Sequence, residues 1–198
     1  MSRIFGYLAT FAICFLIGTF LLGLSLRVGD VRDRADVAIQ QRATVHRLAG
    51  IATGLAVVLV ESIVVTYFIG TSRWCKEVVD TYSLDQNLTR RATLLKRRTF
   101  PHALIGMLTA VTLVALGGAA DPGAIVQEPA KSLGISALAG ITWTNIHFAA
   151  AGIGLAIIGY GFIIQWGNLH ANQAIISDVL AEVKQIRISK GLDTATSS

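Results

Sequence analysis

The chain has little of what punctuates or staples a soluble fold. Among 198 residues there are 3 prolines and 2 cysteines, and 15% of residues are charged, against about 25% in an ordinary soluble domain. Two cysteines allow one bridge at most. Cys14 lies inside the first apolar run and Cys75 just beyond the second, so no disulfide framework is expected. Glycine is abundant at 19 residues, but without the proline or the period of a disordered or fibrous chain. Several catalytic signatures are also missing: there is no G-x-x-x-x-G-K-[ST], H-E-x-x-H, C-x-x-C or G-x-S-x-G. The phosphate loop, the helical zinc pair, the redox dithiol and the nucleophile elbow therefore have no sequence support. No polar stretch is large enough to house independent catalysis, and no catalytic activity of the chain's own is expected.

What is present is apolar. The 53% hydrophobic content and mean hydropathy of +0.61 exceed what a soluble domain could bury. The expected fold is an all-α integral membrane protein, a bundle of four transmembrane helices with short amphipathic extensions. The spans are placed at about 4–26, 46–70, 101–120 and 138–166. The first is about 35 Å long as a helix, enough for a hydrocarbon core of about 30 Å. Arg3 before it resembles the start of a signal peptide, but the run is long for one and ends without a small-x-small site, so it is read as a retained helix. Thr99 is the expected N-cap of the third span, with Pro101 in its first turn. Trp143 and Trp166 sit about 35 Å apart along the fourth, the spacing of two headgroup anchors. Residues 1–170 form the expected membrane domain and 171–198 a cytoplasmic amphipathic tail.

Charge sets the expected orientation. The segment 71–100 carries Arg73, Lys76, Arg90, Arg91, Lys96, Arg97 and Arg98, whereas 121–137 carries only Lys131. The positive-inside rule puts the basic segment, and with four spans both termini, in the cytoplasm. Arg27, Arg32, Arg34, Arg42 and Arg47 on the opposite side run against this, partly offset by Asp30, Asp33 and Asp36. The net charge of +5 then reads as topology and contact with anionic lipids at the basic loop, with no nucleic acid involved. Asp33 to Arg47 contains no glycine or proline, so the second helix is expected to protrude a few turns. Cys75, Val78, Val79 and Tyr82 follow the period of a short surface helix. Ile175, Ile176, Val179, Leu180, Val183 and Ile186 make the tail an amphipathic helix that contacts another subunit or the membrane surface.

Few residues can carry chemistry. Glu61 stands inside VVLVESIVV, where a lone charge costs at least ~2.5–3.5 kcal/mol, so it must be protonated, paired or facing a polar cavity. It is read as a proton-relay acid or cofactor contact, or as a neutral acid bonded to a neighbouring helix. The four histidines fall into two depth groups: His46 with His147, and His102 with His170. Membrane b-type haem takes two histidines from different helices at similar depth. His147, beside Gly152, Gly154 and Ala149 to Ala151, suits this best, and His46 is its partner by depth. A single imidazole on a chlorophyll-type magnesium is the alternative for His147, and no metal site built from protein ligands alone is expected. Gly50 and Gly54 form G-x-x-x-G, while Gly152, Gly154, Gly159 and Gly161 thin the fourth span and Gly18 and Gly23 the first. Such small residues let helices approach closely in lipid. Asn145, Trp143 and Gln165 read as interfacial anchors.

The leading functional reading is an accessory subunit of a larger bioenergetic membrane complex, respiratory or photosynthetic, held to other membrane subunits and placed in a bacterial inner or other energy-transducing membrane. A small b-type cytochrome or quinone-linked anchor is the second reading. An oligomeric channel or carrier around Glu61 is the third.

Overall fold

A computed structural model of the chain describes residues 1–28, 37–121 and 127–192. Arg32, Arg34, Asp30, Asp33 and Asp36, together with the end of the tail, lie outside the described residues. The described residues are helical, with no strand: α1 is Ser2–Val28, α2 Val37–Tyr82, α3 Gln86–Ala119, α4 the single turn Pro129–Ser132, and α5 Trp143–Ser189, with one 3₁₀ turn at Ser136–Leu138. Four helices, α1, α2, α3 and α5, are long and apolar enough to cross a membrane.

Three of these helices are far longer than a span requires. At ~1.5 Å per residue, the 46 residues of α2 and the 47 of α5 each extend about 70 Å. The segment expected as a cytoplasmic loop is a helical hairpin. α2 runs without interruption through Cys75, Val78, Val79 and Tyr82, and α3 starts at Gln86. The expected surface helix is therefore the end of α2, and Cys75 and Val79 are buried because α3 and α5 continue alongside. Asp85, not Thr99, caps α3, its side chain accepting from the Asn87 backbone N–H at 2.9 Å. Thr99 is buried in mid-helix, its hydroxyl on the Leu95 carbonyl, and Pro101 lies inside the helix. The 170/171 boundary likewise falls within an unbroken α5. Ile175 and Val179 are buried, and Val183 and Ile186 pack on the core, so this face of the tail is covered by the chain's own hairpin. Leu180 stays exposed.

The turn between α2 and α3 follows from its hydrogen bonds. Ser83 takes the left-handed conformation, φ +55°, and the Leu84 N–H bonds the Val79 carbonyl at 3.0 Å. This is a Schellman closure, with the apolar residue after the left-handed one tucked against the helix it ends. Leu84 is accordingly buried.

The buried positions on α3 are 88, 92, 95, 99, 103, 106 and 110, spaced four, three, four and repeating after eleven. α5 repeats the pattern from Gly154 to Asn172, and α2 follows it over most of its length. Eleven residues in three turns is close to the pitch of a straight helix, so one seam stays buried along each long helix. Small residues on that seam let the helices approach closely. A methyl group at Gly54 would come within 2.7 Å of Val114, and one at Gly154 within 2.8 Å of Leu113. A methyl group at Gly159 or Gly161 would make only ordinary contact, with Ile13 and the His102 carbonyl, and one at Gly18, Gly50 or Gly152 would meet open space.

Two outcomes test this architecture. Ser83→Gly removes the cost of a side chain in the left-handed region, and an unfolding measurement in detergent is expected to show a gain of about 0.5–1 kcal/mol. Burial pushes the Cys75 thiol up, which lowers its thiolate fraction. In a Cys14→Ser background, maleimide labelling of Cys75 is expected to be slow until denaturant is added; fast labelling of the folded protein would contradict the closed hairpin.

Candidate functional site

Two of the polar clusters inside the bundle are built on glycine. The first is at the end opposite the α2–α3 hairpin. His46 on α2 and His147 on α5 face each other, ring centroids 6.4 Å apart with their planes at 68°. Both rings are half-buried, and the Nδ1 atom of each is enclosed without a hydrogen-bond partner. Each ring lies over a glycine. A methyl group at Gly23 of α1 would stand 2.8 Å from His46 Cε1, and one at Gly117 of α3 would stand 3.3 Å from His147 Cε1. The Thr19 backbone lies near the His46 ring, one turn before Gly23. Phe20 and Phe148 stack beside the pair at 5.4 Å. Arg47 is paired with Asp121 at the same end, so one of the arginines that ran against the charge rule has its counter-ion there.

The two other histidines do not join this site. His102 packs edge-on against Tyr160 at 6.1 Å, and the exposed His170 against Trp166 at 4.9 Å. Among the described residues no three His, Cys, Asp or Glu side chains gather where they could hold a metal ion. A two-imidazole site meets the needs of a metal only if most of the coordination comes from elsewhere.

The second cluster is in the middle of the bundle. Glu61 on α2 is 0% exposed, and the Gln165 amide on α5 donates to its Oε2 at 2.6 Å. Gln165 is thus no interfacial anchor; it too is 0% exposed. α3 presents Gly106, where a Cβ would collide with Glu61 Oε1. Nothing in the sequence singled out Gly106 or Gly117, because a lone glycine on an apolar helix carries no signal until its neighbour is known. Gln165 was legible in principle: it lies on the buried eleven-residue seam.

No family model, curated protein or solved structure matches the chain, and the functional reading rests on these two clusters.

The glycine notch makes a direct prediction. Gly106→Ala forces a methyl into a buried, hydrogen-bonded carboxyl group and is expected to cost about 1–3 kcal/mol, as overpacking does. In a Glu61→Ala background the same change should cost much less. Equal costs in both backgrounds, measured by denaturation in detergent, would show that the carboxyl does not fill the notch.

Proposed function

We propose that this chain is a membrane-embedded haem protein of b type, with His46 and His147 as the two axial ligands, and that it serves as an electron-carrying subunit among other membrane proteins. The observation that carries this reading is the pair of facing imidazoles whose enclosed Nδ1 atoms have no partner. Buried polar atoms in folded proteins are nearly always satisfied, and two partnerless ring nitrogens on neighbouring imidazoles of different helices suit a shared metal centre.

The spacing supports the same centre. Metal–imidazole bonds of about 2 Å, added on both sides to the distance from ring nitrogen to ring centre, separate two coaxial rings by about 6 Å; here they stand 6.4 Å apart. Two neutral rings in edge contact also prefer such a distance, but that contact leaves both nitrogens unsatisfied. A porphyrin supplies four equatorial nitrogens, so two histidines complete its iron, which suits a cluster with no third protein donor. The Thr19 backbone near the His46 ring stands where an outer contact would orient a ligating imidazole. A chlorophyll-type magnesium takes one imidazole and would leave the other unsatisfied, so the pair favours iron.

Haem bound there supplies one-electron chemistry. The chain's own part is to hold the two rings over Gly23 and Gly117 and to keep water from the nitrogens. A one-electron carrier needs a donor and an acceptor, so this reading itself calls for partner proteins.

The test is an absorption spectrum of the chain purified gently from its native membrane. A reduced-minus-oxidised α-band at about one haem per chain is expected, and it should be lost in both His46→Ala and His147→Ala but kept in His102→Ala and His170→Ala. A colourless native protein would overturn the haem reading and leave assembly as the function. A band of the chlorophyll type, lost only with His147, would replace iron by magnesium.

A further inference from the structure

Glu61 is the most enclosed titratable side chain that electron transfer at the histidine pair does not use. Three elements surround it. α2 places Val57, Val60 and Val64 beside it on its own buried face, α3 presents Gly106, and α5 presents the neutral amide of Gln165. The ion pairs among the described residues are Arg47–Asp121, Arg73–Glu77 and Arg91–Asp178, none of which reaches it. The Gln165 amide N–H satisfies Glu61 Oε2, but Glu61 Oε1 and Gln165 Oε1 are both buried without a donor. The pair holds two spare acceptors, and one proton is the smallest addition that gives it another donor.

Polar side chains follow this pair within one turn on the side of the basic hairpin, whereas on the other side the next buried polar residue on α2 is Thr53, paired with Thr19 and about two turns away. Towards the basic hairpin, Asn168 donates to the Thr99 hydroxyl at 3.0 Å, and Asn172 donates to Thr71 at 3.1 Å and to the Tyr67 hydroxyl at 3.3 Å. Gln173 lies one residue further, bonded to Ser2 at 2.9 Å. Positions 165, 168 and 172 stand about one turn apart on α5. In the other direction, towards the histidine pair, the buried residues next to Glu61 on α2 and α5 are Val57, Val60, Ile158 and Phe162, which offer no donor or acceptor side chain.

We infer that Glu61 and Gln165 hold one proton between them, as a carboxylic acid paired with an amide, and that this proton exchanges with water at the basic end through the Asn168–Thr99 and Asn172–Tyr67–Thr71 rungs. The bond that forms and breaks is the Glu61 O–H, and the proton comes from and returns to water at that end. The inference goes beyond the haem reading and does not depend on it.

The test is infrared spectroscopy of the full-length protein in detergent, in H₂O and after transfer to D₂O. The wild-type chain and His147→Ala should both show a protonated-carboxyl C=O band that shifts in D₂O and is missing from Glu61→Gln. If Glu61→Gln removes carboxylate bands instead, the shared proton is refuted. In Asn172→Leu the band should persist but shift about tenfold more slowly, the effect of losing one hydrogen-bonded rung from the path. An unchanged exchange rate there would overturn the route. Tyr67→Phe combined with Thr71→Val removes the same rung from the α2 side, and must give the same slowing if Asn172→Leu does not fold.

Discussion

The fold depends on one repeated fit: a glycine on one helix opposite a polar side chain on another. Gly23 receives His46, Gly117 receives His147, and Gly106 receives Glu61. In a lipid surrounding, apolar side chains gain little by leaving the hydrocarbon for each other, so helices associate through close packing and hydrogen bonds. A polar group inside such a bundle is tolerable only if it is near a partner, and a glycine brings the partner backbone near enough. The three notches lie at two depths and tie α1, α2, α3 and α5 together. Removing a notch costs packing, and removing its polar occupant leaves a void and a freed partner. This reciprocity makes the same residues both scaffold and candidate site.

The long helices carry one buried seam through an apolar half and a charged hairpin half. In the apolar half of the bundle, the buried positions combine Gly106, Gly154 and Gly161 with the large side chains of Val57, Val60, Val64, Phe68, Ile158 and Phe162. In the hairpin half, Cys75, Val79, Leu88, Leu95, Ile175 and Val179 fill the seam. On α3 the eleven-residue spacing passes through both halves without a break, while on α5 the buried steps after Leu169 shorten to three, three and four. The Asn168 and Asn172 rungs lie where the two halves meet.

Much of this was legible before any coordinates. The four apolar runs, the odd position of Glu61, and the pairing of His46 with His147 by depth all follow from counting residues along helices, and the structure brings those two histidines together. The length of the helices was not legible from hydropathy, because α2 and α3 continue as amphipathic segments once the apolar run ends. Pro101 misled for a physical reason: it suits a first helical turn equally well, and only Asp85 capping sixteen residues earlier shows that the helix had already begun. Gln165 read as an interfacial anchor because it neighbours Trp166, although adjacent residues on a helix point about 100° apart, and Trp166 is exposed while Gln165 is buried. Gly106 and Gly117 acquire meaning only from the side chains that approach them across the bundle, which no single-helix pattern contains.

The central claim is that His46 and His147 share one iron centre. Pulsed electron paramagnetic resonance of the oxidised chain, purified from its native membrane with nitrogen-15 in its histidines, reads this directly. The account predicts a low-spin ferric signal coupled to the nitrogens of two imidazoles. An iron signal coupled to one imidazole, or no iron signal in a correctly folded native protein, would contradict it.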